Sequence, residues 1–150
     1  MIKLHDVYKE IFSRINALRE IYKETYNYDL HVYDELVEDA KWPFIRIDYS
    51  YNRDRSGKNY DGMTYYQYIH VFSVYKGRKE VLEITDMINE ALLDKIETDD
   101  FVAYPYIERN EIAERSDTIG GQKTGYNTNE TYRHGILVYK YVIYDNNNNK

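Results

Sequence analysis

The sequence predicts an α+β fold: a mostly antiparallel sheet of four to five strands with two amphipathic helices packed on one face. Three observations carry the prediction. Two segments repeat apolar residues at helical spacing. Several others alternate or run apolar at strand length. Adjacent strands are mostly joined by loops, which implies mostly antiparallel pairing.

The first helix is expected from about Ile2 to Thr25. Leu4, Tyr8, Ile11, Ile15, Leu18 and Tyr22 recur at intervals of three and four, and no Gly or Pro interrupts them. Lys9, Glu10, Arg14, Arg19, Glu20 and Lys23 fall on the opposite side. Tyr26-Asn27-Tyr28-Asp29 breaks the pattern, and Leu30-His31-Val32-Tyr33 reads as a short edge strand. Asp34 to Lys41 is acidic and reads as loop; Pro43 then opens a strand more readily than it sits inside one. From Phe44 to Tyr51 the alternation predicts Ile45, Ile47, Tyr49 and Tyr51 on one face and Arg46, Asp48 and Ser50 on the other. Asn52 to Gly62 is polar, too long for a two-residue hairpin turn, and is expected to stand out as a flexible arm.

The centre of the chain is Met63 to Ile96. Met63–Tyr75 reads as a long strand whose later residues are apolar on both faces, as in the middle of a sheet. Lys76-Gly77 turns a corner. A helix follows from about Arg78 to Ile96, with Val81, Ile84, Ile88 and Leu92 on one face and Glu80 and Glu83 at its dipole-positive start. Phe101 to Ile107 is a strand that continues less clearly to Glu114. Ser116 to Thr131 is a second long, glycine-containing loop, and Tyr132 to Tyr144 is the last strand. Residues 1–145 are expected to form one domain, followed by a flexible Asn-rich tail at 146–150.

Composition narrows the function. The chain has no cysteine, which removes disulfides, thiolate metal sites and cysteine catalysis. Its net charge of −6 argues against tight binding of nucleic acid through phosphates, though not against DNA passing nearby. The first residues lack a basic-then-apolar export signal, and no apolar run approaches a membrane span, so a soluble, unexported protein with no membrane partner is expected. Nineteen tyrosines against four Phe and one Trp are the departure from ordinary usage. Tyrosine suits surfaces that are dry in one state and wet in another, and it is enriched at protein interfaces. Compositional bias from an AT-rich genome accounts for the same excess, and both readings stand. Two helices cover one sheet face only, so a tyrosine-rich uncovered face is a candidate interface.

Catalytic patterns are weak. His5, His31, His70 and His134 show no metal-ligand spacing; His70 and His134 can approach across neighbouring strands, but they read as ordinary sheet residues. The acids at Asp34, Glu35, Glu38 and Asp39, and at Glu97, Asp99 and Asp100, sit in loops where solvated carboxylates are common. Gly120-Gly121 lacks the phosphate-loop context, and no serine nucleophile elbow is present. Arg53, Arg55 and Lys58 form a small basic patch beside Tyr60 on the first arm. The residues support no enzyme, metal or cofactor.

The arrangement resembles a known family. An amphipathic helix leads to Trp42-Pro43-Phe44-Ile45-Arg46-Ile47 and a polar arm. Then come His70-Val71-Phe72-Ser73, Gly77-Arg78-Lys79-Glu80 and a helix with Ile84, Ile88 and Leu92 in a stripe. This is similar to the tail-completion or tail-terminator proteins of long-tailed bacteriophages, the small tail-to-head joining family. The resemblance covers about Leu4 to Tyr144, with a longer polar second loop and an excess of Tyr as departures. It implies a non-enzymatic virion protein, assembled in the host cytoplasm. Six subunits would form a ring that caps the tail tube, stops its growth and meets the head–tail connector, with DNA only in transit. On that reading Arg53, Arg55, Lys58 and Tyr60 on the first arm, and Arg115, Lys123 and Tyr126 at the second loop, would grip partners. Tyr49, Tyr66, Tyr68, Tyr139 and Tyr141 would form the subunit interface. A head-side neck adaptor, a minor tail or tube protein, and a small hydrolase or nucleotide-binding enzyme remain as alternatives.

Overall fold

The computed structural model describes residues 1–115 and 131–146. The order of elements is α1 (Leu4–Asn16), α2 (Leu18–Tyr26), β1 (His31–Tyr33), β2 (Phe44–Asp54), β3 (Gly62–Ser73), α3 (Lys79–Leu92), β4 (Ile96–Glu97), β5 (Phe101–Arg115) and β6 (Tyr132–Asp145). The strands form one sheet in the order β1-β2-β3-β6-β5-β4.

The α+β class is as expected, but the sheet has six strands and is mixed. β1 runs parallel to β2, while all other neighbours are antiparallel. A parallel partner is possible there because the chain loops across from Tyr33 to Phe44 before entering β2. The first helix is interrupted for one residue at Ala17, which keeps right-handed helical angles, so α1 and α2 share one apolar stripe. Asn27, at φ 54°, closes α2 in the left-handed conformation that an Asn tolerates. The second helix stops at Leu92 rather than running to Ile96, and Ile96–Glu97 pairs with Ala103 and Val102 as the edge strand β4. Arg14 of α1 reaches the end of α3 and donates to the carbonyls of Asp94 at 2.8 Å and Lys95 at 3.1 Å. It also reaches the Ala91 carbonyl in the last turn of α3 at 3.4 Å, where a cation complements the negative end of the helix dipole.

The helices lie on the face formed by alternate residues of β3 and β6. Val7, Ile11 and Ile15 of α1, Ile84, Ile88 and Leu92 of α3, and Ile69, Val71, Leu137 and Ile143 of the sheet are buried in one core. Each such aliphatic side chain contributes about 1.5–3 kcal/mol on leaving water. Gly77, at φ +91°, turns the chain between β3 and α3 where a side chain would strain the backbone.

The strands are longer than the alternation alone suggests. β2 runs to Asp54 and β3 begins at Gly62, so the base of the expected arm, Asn52–Asp54 and Gly62, belongs to the two strands. Its tip is closed by its own bonds. The Arg55 amide donates to the Gly62 carbonyl at 2.9 Å, and the Gly57 amide to that of Tyr60 at 3.0 Å. Ser56 Oγ donates to Asp54 Oδ1 at 2.7 Å. At the other end of the chain Asn146, first of the Asn-rich residues, donates to the carbonyls of Asp100 and Thr98.

Candidate protein-interaction face

The helix-free face is built by a break in the alternation of β2. Ile47 pairs with Ile69, but Ser50, not Asp48, is the next residue to find a partner on β3, opposite Gln67. A bulge of this kind shifts the side-chain parity of everything beyond it. Ile45 and Ile47 therefore face the helices, whereas Tyr49 and Tyr51 emerge on the opposite face, against the expectation that all four share one side. β5 carries a matching irregularity between Ile107 and Arg109.

Gln67 supports the bulge from the buried side. Its Nε2 donates to the carbonyls of Asp48 and Tyr68, each at 3.0 Å, with that of Tyr49 at 3.3 Å. Its Oε1 accepts the Tyr65 hydroxyl at 2.9 Å. A fully buried amide is thus satisfied, and so are carbonyls that the interrupted ladder leaves over. The sequence offers one signal for this role, a polar side chain between Tyr65 and Ile69 on the helix-facing side of a central strand.

The exposed result is a tyrosine cluster. Tyr49 is 59% exposed. Its ring lies 5.4 Å from Tyr68 and 5.8 Å from Tyr51, and Tyr51 stacks on Tyr66 at 4.5 Å. The Arg53 guanidinium sits 5.8 Å from the centre of the Tyr51 ring, a cation–π distance. Tyr104 and Tyr106 of β5 are exposed on the same face, with Tyr144 linking Tyr104 to Tyr60 of the hairpin tip. Tyr60 lies so close over Gly57 that a Cβ there would come within 2.3 Å of its ring.

Towards the other end of this face the aromatic residues are covered. Trp42, Phe44, Phe72 and Tyr132 form a second buried cluster beneath Tyr33, Val37 and Ala40. Between the covered and exposed aromatics lies a polar chain. His70 Nδ1 is 2.7 Å from His134 Nε2, and His70 Nε2 is 3.1 Å from Asp48 Oδ2. Arg46 donates to Asp48 Oδ1 at 2.9 Å. The expected approach of the two histidines across neighbouring strands therefore occurs. Burial of His70 pushes its pKa down, and Asp48 opposes that shift. Among the described residues no three His, Asp or Glu side chains gather as metal ligands, and no helix is long and apolar enough to cross a membrane.

The expected site residues separate into three groups. Tyr49, Tyr66 and Tyr68 meet on the open face, together with Tyr51, which the sequence reading placed on the strand but not in the interface. Arg53, Arg55, Lys58 and Tyr60 lie at the hairpin end of the sheet. Tyr139 and Tyr141 belong to neither group: both are fully buried under α3. The Tyr139 hydroxyl donates to Asn89 Oδ1, and that of Tyr141 donates to the Leu92 carbonyl at 3.0 Å. They are core residues because β6 places its odd-numbered positions under the helix. Arg115 ends β5 opposite Tyr132, while Lys123 and Tyr126 lie outside the described residues with the rest of 116–130.

These features define a two-layer α+β protein with one sheet face covered by helices and an exposed tyrosine cluster on the other. Residues 12–143 match the model of the family described as Tail completion protein gp17, and the chain belongs to that family. It is accordingly a structural protein of the bacteriophage tail and a component of the virion. Among solved structures it is similar to a chain in the virion of a native gene transfer agent (GTA) particle. The TM-score is 0.61 at 14% identity, over 89% of this chain and 91% of that one, a likeness of fold. No curated protein matches it.

Proposed function

We propose that the protein is a ring-forming tail terminator, which caps the finished tail tube and joins it to the head connector. The observation that carries this reading is the open sheet face: an exposed tyrosine cluster on a member of a tail-completion family. A closed ring needs a head-to-tail interface on every subunit, and Tyr49, Tyr51, Tyr66 and Tyr68 supply an amphipathic surface suited to it. Six copies form the ring. The hairpin tip, with Arg55, Lys58 and Tyr60, engages the tube, and Arg115, Lys123 and Tyr126 act as a second contact. The net charge of −6 lets DNA pass through the lumen without adhering. Assembly takes place in the host cytoplasm, and no chemistry is required of the chain.

The test is tube capping with purified components. Wild-type protein should stop tube growth and appear as closed rings by negative-stain imaging and light scattering. Arg55→Glu with Lys58→Glu should leave rings intact and weaken capping. Rods that elongate as fast with the protein as without it would overturn the terminator reading.

A further inference from the structure

A concave site lies at the end of the sheet away from the hairpin tip. The end of α2, the entry to β2, the end of β3 and the first turns of α3 enclose a cleft of about 470 Å³. Tyr22, Tyr26, Tyr28 and Tyr75 line it together with Glu80 and Glu83. Tyr28 is 54% exposed and Tyr75 50%, so much of their ring surface is open.

The two acids are there for a local reason, since carboxylates are favoured in the first turns of α3 by its dipole. Glu80 is already engaged: it accepts Ser73 Oγ at 2.7 Å and the Tyr22 hydroxyl at 3.3 Å. Glu83, whose carboxylate acts on the neighbouring Tyr26 hydroxyl, keeps acceptor capacity. The site is electronegative. Burial foremost, and then the Glu80 charge, push the Tyr22 hydroxyl's pKa up, and burial and Glu83 do the same for Tyr26. Lys79 on the rim is outnumbered by the two carboxylates.

We propose that this cleft is a docking site for an arginine-bearing, extended segment of the head-side neighbour in the virion. Tyrosine faces attract a guanidinium, and its planar fork matches the Glu83 carboxylate. The arginine stem would lie along Trp42 and Val74, which complete the apolar wall. The direction follows from the fold. At about 3.3 Å per residue, β2 and β3 hold the hairpin tip on the order of 35 Å from the cleft. A subunit whose tip meets the tube thus turns its cleft towards the head. Only this assignment of direction rests on the terminator reading; the ligand chemistry does not.

The experiment titrates the isotope-labelled full chain with acetyl-Gly-Arg-Gly-amide and with its citrulline counterpart, which keeps the shape and loses the charge. Saturable amide shifts at Tyr75, Lys79 and Glu83 are expected with the arginine peptide, and affinity about fivefold weaker with citrulline. Glu83→Gln should erase that difference while leaving the melting temperature unchanged. Equal affinity for the two peptides, or no shifts in the cleft, overturns the proposal. Loss of self-association in both Glu83→Arg and Arg55→Glu would make the occupant a second copy's tip and overturn the head-side assignment. Ring formation is read without peptide, so either result can fail while the other stands.

Discussion

The two faces of the sheet use the same residue type for opposite purposes. On the helix side Tyr65, Tyr139 and Tyr141 are buried, and each hydroxyl donates to a named acceptor within the molecule. On the open side Tyr49, Tyr51, Tyr66 and Tyr68 lean on one another, with Tyr49 more than half exposed. A tyrosine is therefore core or surface according to strand parity, and parity in β2 is reset by a bulge. Both sides carry tyrosine. What differs is where α1, α2 and α3 sit.

Four experiments break or sharpen this contrast, beginning with the largest effect. Ile88→Ala removes a fully buried side chain from the helix-side core and should cost about 2–5 kcal/mol in chemical denaturation. A smaller loss would mean that α3 is only loosely docked. Gln67→Leu leaves the carbonyls of Asp48 and Tyr68 without their buried donor, and should cost about 1–3 kcal/mol. It should also change the ring-proton shifts of Tyr49, because the bulge that aims Tyr49 outward loses its support. Unaltered Tyr49 resonances would show that the bulge stands without the amide.

The third experiment concerns pH. His70 faces Asp48 and Arg46 on β2 and His134 on β6, with Arg109 of β5 also acting on its charge. Desolvation holds its folded-state pKa below the unfolded value of about 6.5. On acidification the unfolded chain takes up the proton first. This contribution to stability is present above about pH 6.5 and is lost as pH falls through the folded pKa. Melting temperature should fall over that interval, and less steeply in His70→Gln. Identical slopes in the two proteins would remove His70 as the cause. The smallest effect on stability is expected for Tyr49→Ala, within about 0.5 kcal/mol. The same change should abolish self-association in light scattering; retained assembly would move the subunit interface off this face.

Much of the fold was legible because amphipathic periodicity is a local signal. The stripe Ile84, Ile88, Leu92 and the run Leu4 to Tyr22 announce helices; Ile11, Ile15, Leu18 and Tyr22 are buried as expected, while Leu4 is exposed and Val7 is buried instead. The corner at Gly77 is likewise visible, since a positive φ there calls for glycine. β1 and β4 were harder, because strands of three and two residues carry almost no pattern and exist only through their partners. The site was legible in part. Tyr66 and Tyr68 lie on the open face, and Tyr49 joins them only because the bulge turns it away from Ile45 and Ile47, whereas Tyr139 and Tyr141, offered for the same interface, are core. β6 is apolar on both sides, so its sequence contains no alternation from which to read parity.

By itself, then, the sequence determined the kind of molecule: two helical stretches that must cover a sheet, strands too apolar to stand alone, and an excess of tyrosine. It also carried the motifs that resemble a tail-completion family. Only the tertiary structure decided which tyrosines face outward. The bulge after Ile47, the Gln67 side chain that satisfies it, and the choice of face for the helices all depend on partners distant along the chain. Side-chain direction in a strand reverses with a one-residue slip in register, and register is set between strands, not within one.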